Sequence, residues 1–442
     1  MKIQLSDHFS YKKLIRFTMP SIIMMVFSSI YGVVDGFFVS NFAGETEFAA
    51  LNFIYPFIMM LGAFGFMFGA GGSALISKTM GEGNMKKAQS LFSLIVYVSV
   101  GTGVVLALIG IIFIRPIASL LGAEGKMLDD CVIYGRIILA ALPAFMLQME
   151  FQTFFVMAEK PKLGLYATLA SGIANMVLDA LLVGVLPLGL VGAASATAIS
   201  QLIGGIIPLI YFFRPNTSIL RLGKAELDGK ALIKTCTNGS SELMSNISMS
   251  LVGMLYNVQL MRYAGQAGVA AYGVLMYVNF VFISIFIGYV VGIAPVISYH
   301  YGAGNTDELK SLLRKSLIII SICSVAMLGA GEGLAYPFSK LFVSGNPALF
   351  EMTLRGFRIY SFSFLFAGFA IFGASFFTAL NDGLTSAIIS FLRTLLFQTA
   401  AVIILPLIWE LDGIWISIIV AELMAVVVTV IFMAAKKKRY RY

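Results

Sequence analysis

Two acidic residues, Asp35 and Asp179, stand inside stretches of sequence that are otherwise strongly apolar. An ionisable side chain inside such a stretch costs about 2.5–3.5 kcal/mol to insert into a bilayer, so each one needs an explanation. Each acid has a polar residue four positions before it, Tyr31 before Asp35 and Asn175 before Asp179. Residues four apart share one face of a helix, so the sequence predicts two polar helix faces that each carry a carboxylate.

A third polar face comes from Thr197 and Gln201, which are again four residues apart. A buried pocket of carboxylates, an amide and hydroxyls can hold a proton, because a shared proton removes the repulsion between two carboxylates. It can equally hold Na⁺, since all of these groups offer hard oxygen ligands. The candidate ligands for Na⁺ are Asp35, Asp179, Asn175 and Thr197. Hydrogen bonding between helices, without a bound ion, is the structural alternative.

Helical spacing predicts a second polar stripe in the later part of the chain. Asn238, Glu242 and Asn246 recur every four residues, and Asn257, eleven residues further on, returns to nearly the same helix face. Glu242 can bind a cationic substrate, take part in coupling, or serve as a structural partner of Arg393. Arg393 and Glu422 both lie deep enough in apolar stretches to need partners, and each can be the partner of the other.

Candidate contacts for a bound organic molecule combine this stripe with soft apolar side chains. Methionine and phenylalanine side chains that face a cavity form an adaptable surface, which tolerates varied organic cations. With 23 methionines and 37 phenylalanines in the chain, contact with lipid or simple packing is the commoner role for each one. The predicted substrate-binding residues are Glu242, Asn246, Asn257, Gln152, Met60 and Phe280.

The composition places these residues in a membrane protein. The chain of 442 residues is 59% hydrophobic and only 12% charged, whereas soluble proteins have about 25% charged residues. Twelve apolar stretches reach the roughly 20 residues that a helix needs to cross a bilayer. They lie near residues 17–41, 52–77, 91–114, 129–157, 163–186, 191–213, 235–262, 269–297, 312–335, 352–379, 384–409 and 413–435.

A repeated motif divides the chain into two halves. The sequence GEGN at 81–84 returns as GAGN at 302–305, which is 221 residues later. We interpret each copy as a helix-ending turn in which glycine supplies a positive φ. A phosphate-binding loop is not favoured, since neither copy follows a strand or has the Walker spacing. Six helices per half predict a parallel repeat, whose halves are related by a pseudo-twofold axis along the membrane normal.

The sequence therefore predicts an all-α polytopic membrane protein with twelve transmembrane helices in two six-helix bundles. We expect the first bundle over residues 1–213, a cytoplasmic linker over 214–234 and the second bundle over 235–442. The positions that correspond to Asp35 and Asp179 in the second half are Tyr256 and Ala400. Ion coupling is accordingly predicted for the first half.

The basic residues predict the orientation in the membrane. Twenty-two of the 30 lysines and arginines fall on segments that twelve crossings would place on one side. These segments are 1–16, 78–87, 160–162, 214–234, 310–315 and 436–441. By the positive-inside rule, both termini and the linker are expected in the cytoplasm.

Other classes of protein are not favoured by the sequence. The basic residues are scattered along short connections, so nucleic-acid binding is not expected. The two histidines, His8 and His300, lie in no metal-binding or catalytic motif, and the three cysteines form no CxxC pair. We therefore expect no enzyme activity and no cofactor beyond H⁺ or Na⁺ as the coupling ion.

The whole chain resembles the multidrug and toxic compound extrusion (MATE) family. The resemblance is carried by YGVVDGFFVS at 31–40, NMVLD at 175–179, VGAASATAISQ at 191–201 and the two glycine turns. It is most similar to the prokaryotic DinF-like branch, in which an acid on helix 1 pairs with an acid on helix 5. The resemblance implies two bundles around a V-shaped cavity and the export of drugs in exchange for H⁺ or Na⁺.

The family's coupling-site pattern carries over to residues on helices 1, 5 and 6. They are Tyr31, Asp35, Asn175, Asp179 and Thr197. Another branch of the family places coupling carboxylates in the second bundle. Glu242 lies close to the start of helix 7 and does not match that pattern, so second-bundle coupling is not predicted.

These observations predict a secondary active multidrug exporter that exchanges cationic or amphiphilic organic compounds for H⁺ or Na⁺. We expect a monomer in the plasma (inner) membrane, whose partners are membrane lipids and small organic molecules. The main alternative is a lipid-linked oligosaccharide flippase of the same fold, which should have a more basic central cavity. An integral-membrane enzyme or a channel is the more distant alternative, since the duplication is typical of alternating access.

Overall fold

Helices form all of the regular secondary structure in the part of the chain that the computed structural model describes, residues 3–42, 45–343 and 345–442. Lys2, one of the basic residues used to predict the orientation, lies outside the described residues. The side chains at 37, 39–42, 45, 46, 48, 49 and 342 are likewise outside the description.

The first bundle contains six helices. They are α1 (Tyr11–Phe42), α2 (Glu45–Gly81), α3 (Met85–Leu121), α4 (Gly125–Ala140 and Leu142–Met157, bent by 54°), α5 (Pro161–Asp179, continued by a π-helical turn at Ala180–Val185) and α6 (Gly189–Phe213).

The second bundle contains six more helices. They are α7 and α8, the two arms of the stretch Gly229–Gly302 on either side of Gly265, then α9 (Thr306–Val343), α10 (Pro347–Ser361 and Phe364–Ala379, bent by 47°), α11 (Gly383–Ile404, with a π-helical turn at Leu392–Phe397) and α12 (Pro406–Tyr440).

The stretch Gly229–Gly302 is two membrane crossings rather than one. A continuous helix of its 74 residues would be about 110 Å long, whereas the hydrocarbon core of a bilayer is about 30 Å thick. Gly265 has a non-helical backbone with φ 61° and ψ −154°, which glycine adopts without steric cost. The rings of Tyr256 and Tyr272, on either side of Gly265, stack with centroids 5.3 Å apart. The chain therefore reverses its direction at Gly265.

Counted this way, the described residues contain twelve crossings. Nine helices are long and apolar enough to cross a membrane, and the two bent pairs raise the number to 11. Dividing Gly229–Gly302 at its reversal gives the twelfth. The predicted all-α fold with twelve membrane-spanning helices is thus confirmed.

The two glycine motifs form helix-ending turns, as predicted. Gly83 and Gly304 have positive φ values of 82° and 68°. The asparagine that follows each of them caps the next helix. Asn84 Oδ1 accepts from the backbone N–H of Lys87 at 3.1 Å, and Asn305 Oδ1 accepts from that of Glu308 at 3.1 Å. Each motif therefore ends one helix and begins another, which is what a short N-capped connection requires.

The first glycine of each motif has a different role, which the sequence did not indicate. A Cβ on Gly81 would lie 2.0 Å from the carbonyl oxygen of Tyr299, and one on Gly302 would lie 2.0 Å from that of Lys78. The ends of α2 and α8 are therefore packed backbone to backbone across the two bundles. Only glycine permits such an approach.

Glycines also bring α2 and α7 together. A Cβ on Gly71 would lie 2.0 Å from the carbonyl oxygen of Thr235, and one on Gly239 would lie 1.9 Å from that of Met67. By contrast, glycines towards the other end of α1, α7 and α8 have open space around them within 4 Å. They are Gly32, Gly36, Gly253 and Gly273. The bundles thus meet closely at one end of the described structure and diverge towards the other.

Both described ends of the chain lie at the closed end, which we call the terminal face. It consists of residues 3–10, 82–84, 158–160, 214–228, 303–305, 380–382 and 441–442. The segment 3–10 bridges the two bundles on this face. The Leu5 backbone N–H donates to Glu159 Oε1 at 3.0 Å, and that of Phe9 donates to Glu308 Oε1 at 2.9 Å. His8 Nδ1 lies 2.6 Å from Glu308 Oε2.

The turn between α10 and α11 is held by the end of the chain. Asp382 accepts hydrogen bonds from Lys436 Nζ at 2.6 Å and from the Tyr440 hydroxyl at 2.8 Å. Burial alone would raise the pKa of this carboxyl, but the hydrogen bonds from Lys436, Tyr440 and Thr385 lower it below its usual range. Asp382 is therefore a charged anchor for α12.

The connection between the bundles has no helix over residues 214–228, and α7 begins at Gly229, inside the predicted linker 214–234. The linker packs against α3. Gly223 N–H donates to Ser93 Oγ at 3.0 Å, and the Tyr97 hydroxyl donates to the Gly223 carbonyl at 2.9 Å. The boundaries of the three units remain a prediction.

We expect cysteine labelling to place the linker in the cytoplasm. Leu227→Cys, at a position 85% exposed in the linker, is introduced after Cys131, Cys236 and Cys323 have been replaced. An impermeant maleimide should label it only in permeabilised cells. Glu124→Cys, in an exposed connection at the opposite face, is the matched control and should react in intact cells. Labelling of Leu227→Cys from outside intact cells would contradict the orientation.

Candidate functional site

The site is centred on Asp35 of α1 and Asp179 of α5. Their carboxyl groups lie within hydrogen-bonding reach of each other. Asp179 is fully buried, and Asp35 is half-buried. Gly172 lets the two helices approach, because a Cβ there would lie 2.5 Å from the Phe27 ring and 2.9 Å from the Tyr31 ring. Two acids 144 residues apart in sequence thus share one pocket.

Three of the four carboxylate oxygens of this pair have no described hydrogen-bond donor. Among the described residues, no donor reaches either oxygen of Asp179 or Oδ1 of Asp35. A buried charge without a partner is costly, and two neighbouring carboxylates add mutual repulsion. The pair therefore requires a proton or a cation between the two groups.

The local backbone is irregular at the same point. The regular part of α5 ends at Asp179, and the next six residues, Ala180–Val185, form a π-helical turn. Such turns are rare in helices and frequent at functional sites. A π-helical turn has more residues per turn than an α-helix, so it changes the direction in which the side chains that follow Asp179 point.

A hydrogen-bonded chain of polar groups supports the pair from α4. The Gln148 side chain lies within hydrogen-bonding reach of the Tyr31 hydroxyl and donates to Ser171 Oγ at 3.2 Å. Ser171 in turn donates to the Ser200 carbonyl at 2.8 Å. Gly204 provides the space, since a Cβ there would lie 2.6 Å from the Gln148 amide carbon. This chain of contacts fixes α1, α4, α5 and α6 around the acids.

Sequence reasoning did not identify Gln148 as part of the site. Its signal was available, because Gln148 and Gln152 are four apart in an otherwise apolar helix. The sequence also did not indicate Tyr55 and Tyr134, whose hydroxyls interact electrostatically with Asp35. Tyrosines are frequent in membrane helices, so their sequence positions alone gave no such indication.

The other two predicted coupling residues, Asn175 and Thr197, form no described hydrogen bond with the acid pair. Asn175 is buried one turn before Asp179, and its Nδ2 has no acceptor among the described residues. Thr197 is half-buried on α6, and its carbonyl accepts from Ser200 Oγ at 2.8 Å. No described hydrogen bond joins the Thr197 hydroxyl to either carboxyl. The roles of both residues remain predictions.

Two deep charged residues of the second bundle, Arg393 and Glu422, are already paired. Arg393 Nε donates to both carboxylate oxygens of Glu422, at 3.1 and 2.9 Å. Glu242 is half-buried, and its carboxyl group interacts electrostatically with the guanidinium group of Arg393. Arg393 is therefore a structural partner of Glu422, and Glu242 lies beside this pair.

Among the described hydrogen bonds, one joins two of the predicted substrate-binding residues. Asn246 donates its amide to the Glu242 backbone carbonyl at 2.8 Å. Gln152 is buried inside the first bundle, whereas Asn257, Met60 and Phe280 are exposed. The assignment of these residues to substrate binding remains a prediction.

We expect the Arg393–Glu422 pair to be structural. Breaking a buried ion pair on one side typically costs about 3–5 kcal/mol, because the other charge is left buried alone. Arg393→Gln should therefore lower the unfolding temperature of the purified protein strongly, and Arg393→Gln with Glu422→Gln should recover most of the loss.

The matched control is Arg355→Gln, which breaks an exposed pair with Asp412. Exposed pairs contribute about 0–1 kcal/mol, so this change should have little effect. Chromatography of the soluble fraction after heating measures all three variants. Equal unfolding temperatures for Arg393→Gln and Arg355→Gln would show that the buried pair is not structural.

Comparison with known proteins identifies the family. The sequence model of the MatE family matches residues 20–181 and 243–403. Multidrug export protein MepA of Staphylococcus haemolyticus is 28% identical over 365 residues, which cover 81% of this chain and 80% of that protein. The MepA protein of Staphylococcus saprophyticus is 25% identical over 412 residues, covering 92% of this chain and 88% of that protein.

Solved structures show the same fold. The outward-facing conformation of a multidrug resistance MATE family transporter aligns with a TM-score of 0.92 at 21% identity, over 98% of this chain and 97% of that one. A MATE in complex with MaL6 aligns with a TM-score of 0.93 at 20% identity, over 98% of both chains. Since the family model matches once in each half and spans more than half of the chain, this protein belongs to the MatE family.

Proposed function

We propose that this protein is a secondary active exporter of cationic and amphiphilic organic compounds, driven by inward movement of H⁺ or Na⁺. The observation that carries the proposal is the pair of Asp35 and Asp179, in which three of the four carboxylate oxygens have no donor among the described residues. The relatives are named multidrug export proteins, which supports the same activity here. The function is transport and not catalysis.

The coupling ion fits the residues that are present. A proton can be shared between the carboxyls of Asp35 and Asp179, and this removes both the charge repulsion and the missing hydrogen bond. Na⁺ can be held by the same two carboxylates with the side-chain oxygen of Asn175 and, on α6, the hydroxyl of Thr197. Either ion would neutralise the pocket.

The closed terminal face supports inward movement of the ion. The glycine contacts between α2 and the α7–α8 hairpin seal the cleft at that end, so the described conformation exchanges with the opposite side. An ion that enters from there neutralises the acid pair, and release towards the terminal face requires the glycine contacts to separate. Because the positive-inside rule puts the terminal face in the cytoplasm, we propose inward ion flow across the plasma membrane by a monomer.

The alternative of a lipid-linked oligosaccharide flippase has less support. Its pyrophosphate substrate would require unpaired basic groups between the bundles. Arg393, a basic residue deep in the second bundle, is engaged by Glu422, and the buried acids Asp35 and Asp179 of the first bundle lack basic partners among the described residues. A flippase assay with a fluorescent lipid pyrophosphate in proteoliposomes distinguishes the two functions.

We expect Asp35→Asn and Asp179→Asn each to abolish ion-driven drug efflux. The amide keeps the shape of the side chain but removes the group that carries the proton or ligates Na⁺. Efflux of a fluorescent cation from inverted vesicles, driven separately by a pH gradient and by a Na⁺ gradient, measures the loss and identifies the ion.

Asp129→Asn is the matched control. Its carboxylate is exposed at the opposite face and pairs with Arg115 at 3.1 Å, so efflux should stay within about twofold of the wild type, as for most surface changes. Wild-type efflux in both pocket variants would contradict the assignment of the coupling site.

We expect transport of a monovalent cationic drug to be electroneutral, with one shared proton or one Na⁺ per drug. A membrane potential contributes about 2.3 kcal/mol per net charge per 100 mV, so it should do little when the charges cancel. The measurement uses liposomes with the pH and Na⁺ gradients held at zero and only a K⁺-diffusion potential imposed. Strong uphill movement of the drug under that potential would instead indicate two ions per drug.

A further inference from the structure

A cleft of about 260 Å³ opens at the terminal face, between the start of α1 and the start of α5. Three basic residues lie around it, Arg16 on α1 and Lys160 and Lys162 at the start of α5. Phe17, Pro20 and Leu163 form its apolar wall. The cleft is separate from the carboxyl pair, which lies near the other end of the same two helices.

The basic groups of the cleft are in excess over the acids. Arg16 and Lys162 are exposed, and neither forms an ion pair with a described residue. Lys160 Nζ donates to the Thr217 hydroxyl at 2.9 Å. The acid at the rim, Glu159, is engaged by the backbone N–H of Leu5. The cleft therefore presents net positive charge to its occupant.

The apolar wall continues along the helices towards the membrane centre. Beyond Arg16, α1 exposes Met19 and Ile23, which are 41% and 45% exposed. Beyond Lys162, α5 exposes Tyr166 and Ile173, which are 59% and 50% exposed. Residues three, four or seven apart lie on one helix face, so each basic residue stands at the end of a lipid-facing apolar stripe. Tyr166 also suits the depth of the membrane interface.

We propose that this cleft binds an anionic phospholipid of the adjoining leaflet. Its phosphodiester group would lie between Arg16 and Lys162, and an acyl chain would follow the groove over Phe17, Pro20 and Leu163. Paired basic residues beside an apolar groove match a headgroup joined to a hydrocarbon chain, and basic pockets between membrane helices bind anionic headgroups. A free phosphate would use only the basic half of the cleft.

Occupancy of the cleft is linked to the closed terminal face. Ile3, from the segment that bridges the bundles, forms part of the same wall. A lipid that contacts Ile3, α1 and α5 together binds the docked form of this segment better than an undocked form. A ligand stabilises the state to which it binds, so the anionic lipid should stabilise the purified protein.

The test uses the full chain in detergent and native mass spectrometry, with dioleoylphosphatidylglycerol, dioleoylphosphatidylcholine or glycerol 3-phosphate as the probe. The wild type should retain the anionic lipid in preference to the zwitterionic one and should bind no glycerol phosphate. Arg16→Gln with Lys162→Gln should weaken retention of the anionic lipid about tenfold or more. The lipid should also raise the unfolding temperature of the wild type.

Lys86→Gln with Lys87→Gln is the matched control, since it removes the same charge from exposed positions on the same face. It should retain the lipid as the wild type does. Lys162→Glu alone, at an exposed position, provides a second variant if the double change impairs folding, and it should also lose the lipid. Any of three results would overturn the proposal. They are equal retention of the two lipids by the wild type, equal loss of the anionic lipid in the cleft and control variants, and binding of glycerol 3-phosphate as tight as that of the anionic lipid.

Discussion

The bare backbone contact between α2 and the α7–α8 hairpin is the constraint on which the rest of the structure depends. Gly71, Gly81, Gly239 and Gly302 allow carbonyl groups to approach where any side chain would collide. In a membrane, helices associate through close packing and interhelical polar contacts, and glycine makes the closest packing possible. The glycine contact itself uses no charged side chain, whereas Glu159 and Glu308 hold the bridging segment 3–10 across the same end of the cleft.

The two halves have kept one fold but distribute their charges differently. In the second bundle, Arg393 and Glu422 satisfy each other, and Asp382 is held by Lys436 and Tyr440. In the first bundle, the carboxyls of Asp35 and Asp179 face each other without a basic partner among the described residues. A satisfied pair stabilises a bundle, whereas an unsatisfied pair binds an ion. In the mechanism that we propose, the first bundle therefore binds the coupling ion, whereas Arg393 and Glu422 of the second bundle are already paired.

Features encoded locally were accessible from the sequence. Runs of apolar residues predicted the twelve crossings, and spacing of four placed Tyr31 with Asp35 and Asn175 with Asp179. The positive φ of Gly83 and Gly304 followed from their position after a helix. Contacts between distant segments were not accessible, because neither the hydrogen bond of Gln148 to Ser171 nor the packing of Gly81 on Tyr299 leaves a pattern in either segment alone.

The bridging segment 3–10 has a consequence for biosynthesis. Phe9 of this segment is bound by Glu308, which is synthesised 299 residues later. At about 5–20 residues per second, the ribosome needs roughly 15–60 s to cover that distance. The segment 3–10 therefore leaves the ribosome long before the residue that holds it in the second bundle has been made. A fusion partner added before this segment would therefore remain undocked, together with the segment, until the second bundle has been synthesised.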